Sequence, residues 1–252
     1  MKRLLLTSLL FSTSALAHNE CNVHVDQQVS LENRVLTVRF ADDQELKMNG
    51  QTVTLNGQTL SLTASQQADA QGYYQGFMHA APATADIALD AIGLAGEAVA
   101  KAFGEISGED SDLVEDISAE FNELRNEMHQ RFYDDNGNVR FSFNDMDNGD
   151  FLGAEFEEEF EERIESVVER SVGGLLMAIG SQMLFGDGMD AFEARMEKFG
   201  EDMEKQMEAR ADQIELRANE LCESLASVDE YETRLSESVD GLSELNVLTV
   251  TH

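Results

Sequence analysis

Two cysteines, five histidines, a row of methionines and two dense acidic stretches are the residues of this chain whose types could carry chemistry. The histidines are His18, His24, His79, His129 and His252, and no two of them lie at helical ligand spacing. H-E-x-x-H, G-x-S-x-G, phosphate-loop and dinucleotide-glycine patterns are all missing, so no metal centre, nucleophile or cofactor cradle is expected. The acidic stretches invite calcium. Asp134-Asp135-Asn136-Gly137-Asn138 and Asn144-Asp145-Met146-Asp147-Asn148-Gly149-Asp150 look like EF-hand loops. Such a loop needs oxygen ligands at positions one, three and five and glycine at six. Counted from Asp145, position six is Asp150. With Gly149 at position six, Met146 falls at position three. The register fails both ways, and solvated turns are the plainer reading. The run Glu155 to Glu162 spreads its carboxylates over several faces of a helix, as a solvated charge run does.

The methionines are more suggestive. Apolar residues recur at Met189, Phe192, Met196, Phe199, Met203, Met207, Ala211, Ile214, Ala218, Leu221, Leu225 and Val228, in steps of three and four. This is a coiled-coil-like seam with one stutter between Met203 and Ala211. Methionine adapts to irregular cores and to varied partners. Met196, Phe199, Met203 and Met207 are therefore the candidate partner-binding residues, with core packing as the competing role.

The compartment follows from the first residues. Lys2-Arg3, an apolar run from Leu4 to Leu16 and the box Ala15-Leu16-Ala17 form a signal peptide over 1–17, cut after Ala17. The apolar run is too short to span a bilayer, which takes about 20 residues. Cys21 follows His18-Asn19-Glu20 rather than a small-residue box, which argues against a lipid anchor. A cut there frees the amine of His18, which could hold copper if His24 approached. A plain exposed histidine is the simpler assignment. In an oxidising periplasm the two cysteines, Cys21 and Cys222, invite a disulfide from the mature N-terminus to the last helix, the alternative being two unpaired or intermolecular thiols. Closing so long a loop is worth on the order of 5 kcal/mol in the chain-entropy account.

Seventeen basic residues against 50 acidic ones give a formal charge of −33 over 252 residues. That surface repels nucleic acid and anionic membrane and suits cationic partners, divalent ions or high salt. No later segment reads as a membrane span.

Residues 18–63 are expected to form an antiparallel β-meander. Leu36, Val38 and Phe40 alternate with polar positions, and the period of two continues through Leu46, Met48, Val53, Leu55, Leu60 and Leu62. Asn49-Gly50 and Asn56-Gly57 are hairpin turns by type. Thr63-Ala64-Ser65-Gln66 is a capping box that opens a helical region over 64–228. Pro82 is expected to divide its first part, near His79 and Ala83. Ser111 or Asp112 caps a helix to Phe132 with the stripe Ile117, Phe121, Leu124 and Met128. A polar hairpin or loop follows at 133–150. A further helix carries Phe156, Phe160, Ile164, Val167 and Val168, with a kink at Gly173-Gly174. The long seam helix comes last, before a loose tail at 229–252.

The order of these pieces resembles the YggN-like family of proteobacterial periplasmic proteins of unknown function. The matching residues are Cys21-Asn22-Val23, Leu55-Asn56-Gly57-Gln58-Thr59-Leu60-Ser61-Leu62 leading into Ala64 to Tyr74, Ser171-Val172-Gly173-Gly174-Leu175-Leu176, and Cys222. This chain is far more acidic than the family pattern. The resemblance supports the periplasm and the Cys21–Cys222 pairing, and it brings no activity and no catalytic residues.

The expected protein is α+β: a small N-terminal meander, then a bundle or hairpin of long helices. Its expected role is that of a non-catalytic periplasmic accessory or binding protein that engages an envelope partner or client through a helical surface. A divalent-cation-binding or envelope-stress role for the acidic surface competes with it, and an enzyme with a site unrecognised in sequence is the third reading.

Overall fold

The computed structural model describes residues 21–40, 44–108, 111–142, six positions between 162 and 180, and 189–251. Residues 1–17, expected to be a signal peptide, and the expected acidic loop at 144–150, acidic run at 155–161 and kink at Gly173-Gly174 lie outside the described residues.

The protein is α+β, with antiparallel strands followed by long helices. Strands β1 (Asn22–Val25), β2 (Gln28–Glu32), β3 (Val35–Phe40), β4 (Gln44–Met48), β5 (Val53–Leu55) and β6 (Gln58–Thr59) precede helices α1 (Ala64–Ser107) and α2 (Asp112–Phe132). Strand β7 (Phe141–Ser142), helix α3 (Met189–Ser238) and strand β8 (Leu248–Thr251) follow. A six-stranded sheet runs β6-β5-β4-β3-β2-β7. Its alternation is the one the period of two demands: Val29, Leu31, Leu36, Val38, Phe40, Leu46 and Met48 are buried, while Arg39 and Lys47 between them face water.

The turns divide the expectations. Asn56 and Gly57 both take positive φ, 50° and 76°, and join β5 to β6 as a two-residue hairpin. Asn33 and Arg34 do the same between β2 and β3, at 50° and 63°, without a glycine. Asn49-Gly50 does not form such a turn. Four residues separate Met48 from its partner Val53, and Asn49 Oδ1 closes the loop by accepting from the N–H groups of Gln51 and Thr52. Only Gly50 there has positive φ, and a Cβ on it would stand 2.9 Å from the Tyr74 ring.

The capping box at Thr63 and Gln66 opens α1. The expected division at Pro82 is absent, and one helix of 44 residues runs through it. Proline removes one helical hydrogen bond and crowds the preceding turn. Tyr73, Tyr74, Phe77, Ala80 and Ala81 are buried on one side of it, and Ala85 and Leu89 on the other. Anchoring on both sides outweighs the local cost. Ser111 caps α2, whose expected stripe Ile117, Phe121, Leu124 and Met128 is buried.

Helix α1 packs against both α2 and α3. Glycines set the spacing. A Cβ on Gly76 would lie 2.2 Å from Val228 Cγ2, one on Gly72 would lie 2.5 Å from the Tyr231 ring, and one on Gly96 would lie 2.7 Å from Phe121 Cβ. Helix α3 lies antiparallel to α1, as its arginines record. Arg234 meets Asp69, Arg217 meets Asp90, Arg210 meets Glu97 and Arg195 meets Glu105. Each pair is solvated and worth about 1 kcal/mol or less. Together they place some of the few cations of an acid-rich chain along one helix pair.

The segment after Asp229 corrects the expectation of a loose tail. Helix α3 continues to Ser238, and Val239, Leu242, Leu245, Val247 and Leu248 are buried beyond it. Strand β8 then pairs with β1, from Asn22↔Thr251 to Val25↔Leu248. Strand β1 thus leaves the expected meander, and β7 joins β2 in the main sheet.

Candidate functional site

Helix α3 changes character along its length. Toward its C-terminal end Cys222, Val228, Glu232 and Leu235 are buried. From Glu193 to Leu221 no side chain is buried, although the apolar period continues. Met196, Phe199, Met203, Met207, Ile214 and Leu221 are half-buried, and Leu216, off the seam, is 59% exposed. The facing part of α1 explains this. Beyond Leu89 its fully buried residues are glycines: Gly96 is packed against Phe121 of α2, and Gly104, in the lining shared with α3, gives the seam no side chain to interlock with.

An open groove of about 490 Å³ results, between the end of α1, the start of α2 and α3. Ala100, Gly104, Val114, Phe199 and Met203 give it an apolar lining. Lys101, Glu105, Arg195, Lys198, Asp202 and Gln206 supply its polar part. Lys101 Nζ stands 2.8 Å from Glu97 and donates to Gln206 at 2.9 Å, and Arg195 Nε stands 3.0 Å from Glu105. The hydrogen bond from Lys101, aided by its charge and that of Arg210, holds the Glu97 carboxyl below its usual range. Of the four candidate residues, Phe199 and Met203 line this groove, while Met196 and Met207 lie on the same seam outside its lining.

A second site was not singled out by sequence. Glu232 on α3 is 2% exposed. Its Oε2 accepts from Tyr73 Oη at 2.7 Å, and its Oε1 accepts from the N–H groups of Val247 and Leu248 at 2.7 and 3.2 Å. Burial raises its pKa to about 7 against these hydrogen bonds, with Asp229 adding a smaller push in the same direction. Burial, and then the Glu232 charge, raises the Tyr73 phenol as well. An acid tuned near neutrality is a mark of acid–base sites. Here every donor comes from the chain itself, and the carboxylate holds the C-terminal strand against α3. Asp229 acts alongside it, accepting from Val250 N–H at 3.1 Å. No sequence spacing announces the pair, because Tyr73 and Glu232 are 159 positions apart.

Cys21 and Cys222 form a disulfide with Cα atoms 6.2 Å apart, consistent with the pairing read from the cysteine count. It fastens the start of β1 to α3, beside the β1–β8 ladder. Among the described residues no three His, Cys, Asp or Glu side chains converge on a metal-sized point, and no helix is long and apolar enough to cross a membrane.

The family model for Protein of unknown function (DUF2884) matches residues 21–248, from the first disulfide cysteine into β8. The chain belongs to this family. No curated protein and no solved structure matches it. Membership in DUF2884 assigns no activity, so function has to be argued from the geometry.

Proposed function

We propose that this DUF2884 member is a non-catalytic binding protein of the bacterial periplasm, YggN-like in kind, which engages a protein partner or client along the N-terminal half of α3. One observation carries the reading: the seam keeps its apolar period between Glu193 and Leu221 while none of its side chains is buried. A long helix with a half-covered apolar stripe is the form that helix-in-groove recognition takes. Methionines suit a surface that must repack around its occupant. The disulfide and the signal-peptide pattern of residues 1–17 support export to an oxidising compartment.

In-cell photo-crosslinking tests it, with the photoreactive residue placed at Met203, at Phe199 or at the exposed Lys205. The same crosslinked partner from Met203 and Phe199, and none from Lys205, is the expected result. Products containing only this chain, or equal yield from Lys205, would count against the proposal.

A further inference from the structure

We infer that Glu232 is a proton-operated latch on the C-terminal strand, holding β8 in acid and loosening it as the pH rises to neutrality. The way β8 is held carries this. One edge of the strand pairs with β1, and the other has no third strand. Glu232 takes the N–H of Leu248 and that of Val247 just before the strand, and Asp229 takes the N–H of Val250. The hold is thus made by side chains that can change charge, on a strand whose own residues, Leu248–Thr251, carry none. The covalent restraint stops at β1, which the Cys21–Cys222 disulfide pins to α3 at its start.

Glu232 is the deeper of the two carboxylates, at 2% exposed, while Asp229 is half-buried. The groups around Glu232 leave its charge uncompensated. From α1 it meets the Tyr73 phenol, which stays protonated through neutrality. Asp69, one turn before Tyr73, is matched by Arg234, the cation of α3 nearest in sequence to Glu232. Asp229 adds a like charge from α3 itself. Around β8, Asp26 accepts from Thr249 Oγ1 at 3.1 Å, and the exposed His24 of β1 stands opposite Thr249. Glutamine would accept from the same N–H groups without titrating, so the carboxyl adds a proton dependence that the hold itself does not need.

When β8 leaves, water reaches Glu232, and the open form gives up a proton that the closed form keeps. Burial holds the closed carboxyl near pH 7, against 4.5 for an unburied one. The folded value is the raised one, so the latch is fully closed below pH 4.5 and its hold is lost as the pH rises through 7. Opening leaves β1 as an unpaired sheet edge still tied to α3.

Residue-resolved hydrogen exchange on the disulfide-bonded chain tests the inference, with each rate divided by the intrinsic rate at its pH. Protection of the Val247, Leu248 and Val250 amides should fall by about tenfold or more between pH 5 and pH 8. These amides should exchange faster than those of Val38 and Phe121 and respond little to low urea, as an opening short of global unfolding does. Glu232→Gln should abolish the fall. Asp229→Asn should keep it, and so should His24→Gln, carried because histidine as a type changes charge in this range. Protection of β8 that is equal at both pH values would overturn the latch, as would a fall that survives Glu232→Gln or vanishes in either control. Exchange of β8 only together with Val38 and Phe121 would overturn it too, because the strand would then open only with the whole fold.

Discussion

Glutamine at position 232 isolates the effect of one buried charge. In the native protein the Glu232 carboxyl titrates near pH 7, against 4.5 for an unburied one, and burial is the main cause. The folded state therefore binds this proton more tightly than the unfolded state does. Its contribution to stability is fully present below pH 4.5 and is lost as the pH rises through 7. At about 1.4 kcal/mol per unit, ionisation costs the fold on the order of 3 kcal/mol by pH 8. Glutamine keeps the geometry. Its amide oxygen accepts from Val247 and Leu248, and its NH2 donates to the Tyr73 hydroxyl, which can accept as well as donate. Denaturant unfolding of Glu232→Gln and the unsubstituted protein at pH 4.5 and pH 8 measures the difference, with the other carboxylates largely cancelling between the two chains. The variant should be about equal at pH 4.5 and more stable by about 2–3 kcal/mol at pH 8. A variant less stable at pH 8 would show that the three donors outweigh burial, and the argument would fail.

Three further outcomes follow from the packing and the charge. Gly76→Ala should destabilise by about 1–3 kcal/mol despite the helix preference for alanine, because the new methyl meets Val228. Gly93→Ala, with open space around it, should stabilise by up to about 1 kcal/mol, and thermal melts of the two give opposite signs. Serine at both Cys21 and Cys222 should lower the unfolding free energy by on the order of 5 kcal/mol, read by denaturant titration beside the reduced native chain. Raising sodium chloride from low to about 0.5 M should raise the melting temperature, since screening a net −33 outweighs weakening a few solvated arginine pairs.

Local patterns in the sequence were the reliable ones. The alternation of Leu36, Val38 and Phe40, the capping box at Thr63 and the α2 stripe each depend on a few adjacent residues, and each appears as read. Glycine misled in both directions. Asn33-Arg34 turns without it, and Asn49-Gly50 has it but closes through the Asn49 side chain instead. What the sequence hid is non-local. Strand β8 has its partner at the opposite end of the chain, so Leu248–Thr251 resembles a tail until β1 is placed beside it. Pro82 suggests a break until both flanks are seen to be anchored in one core. For the candidate site, periodicity located the stripe of Met196, Phe199, Met203 and Met207. It could not tell core from surface, because that depends on what α1 sets against the stripe, such as Gly104, distant in sequence.

Oxidative footprinting of the methionines tests the central claim most directly, which is that the α3 stripe is open to an incoming partner. Brief peroxide treatment of the folded chain, read by peptide mass spectrometry, ranks the methionines by access. Met196, Met203 and Met207 should oxidise about tenfold or more faster than Met48 and Met128, which are 2% and 1% exposed. Stripe and core methionines oxidising at the same slow rate would show a closed seam and contradict the account.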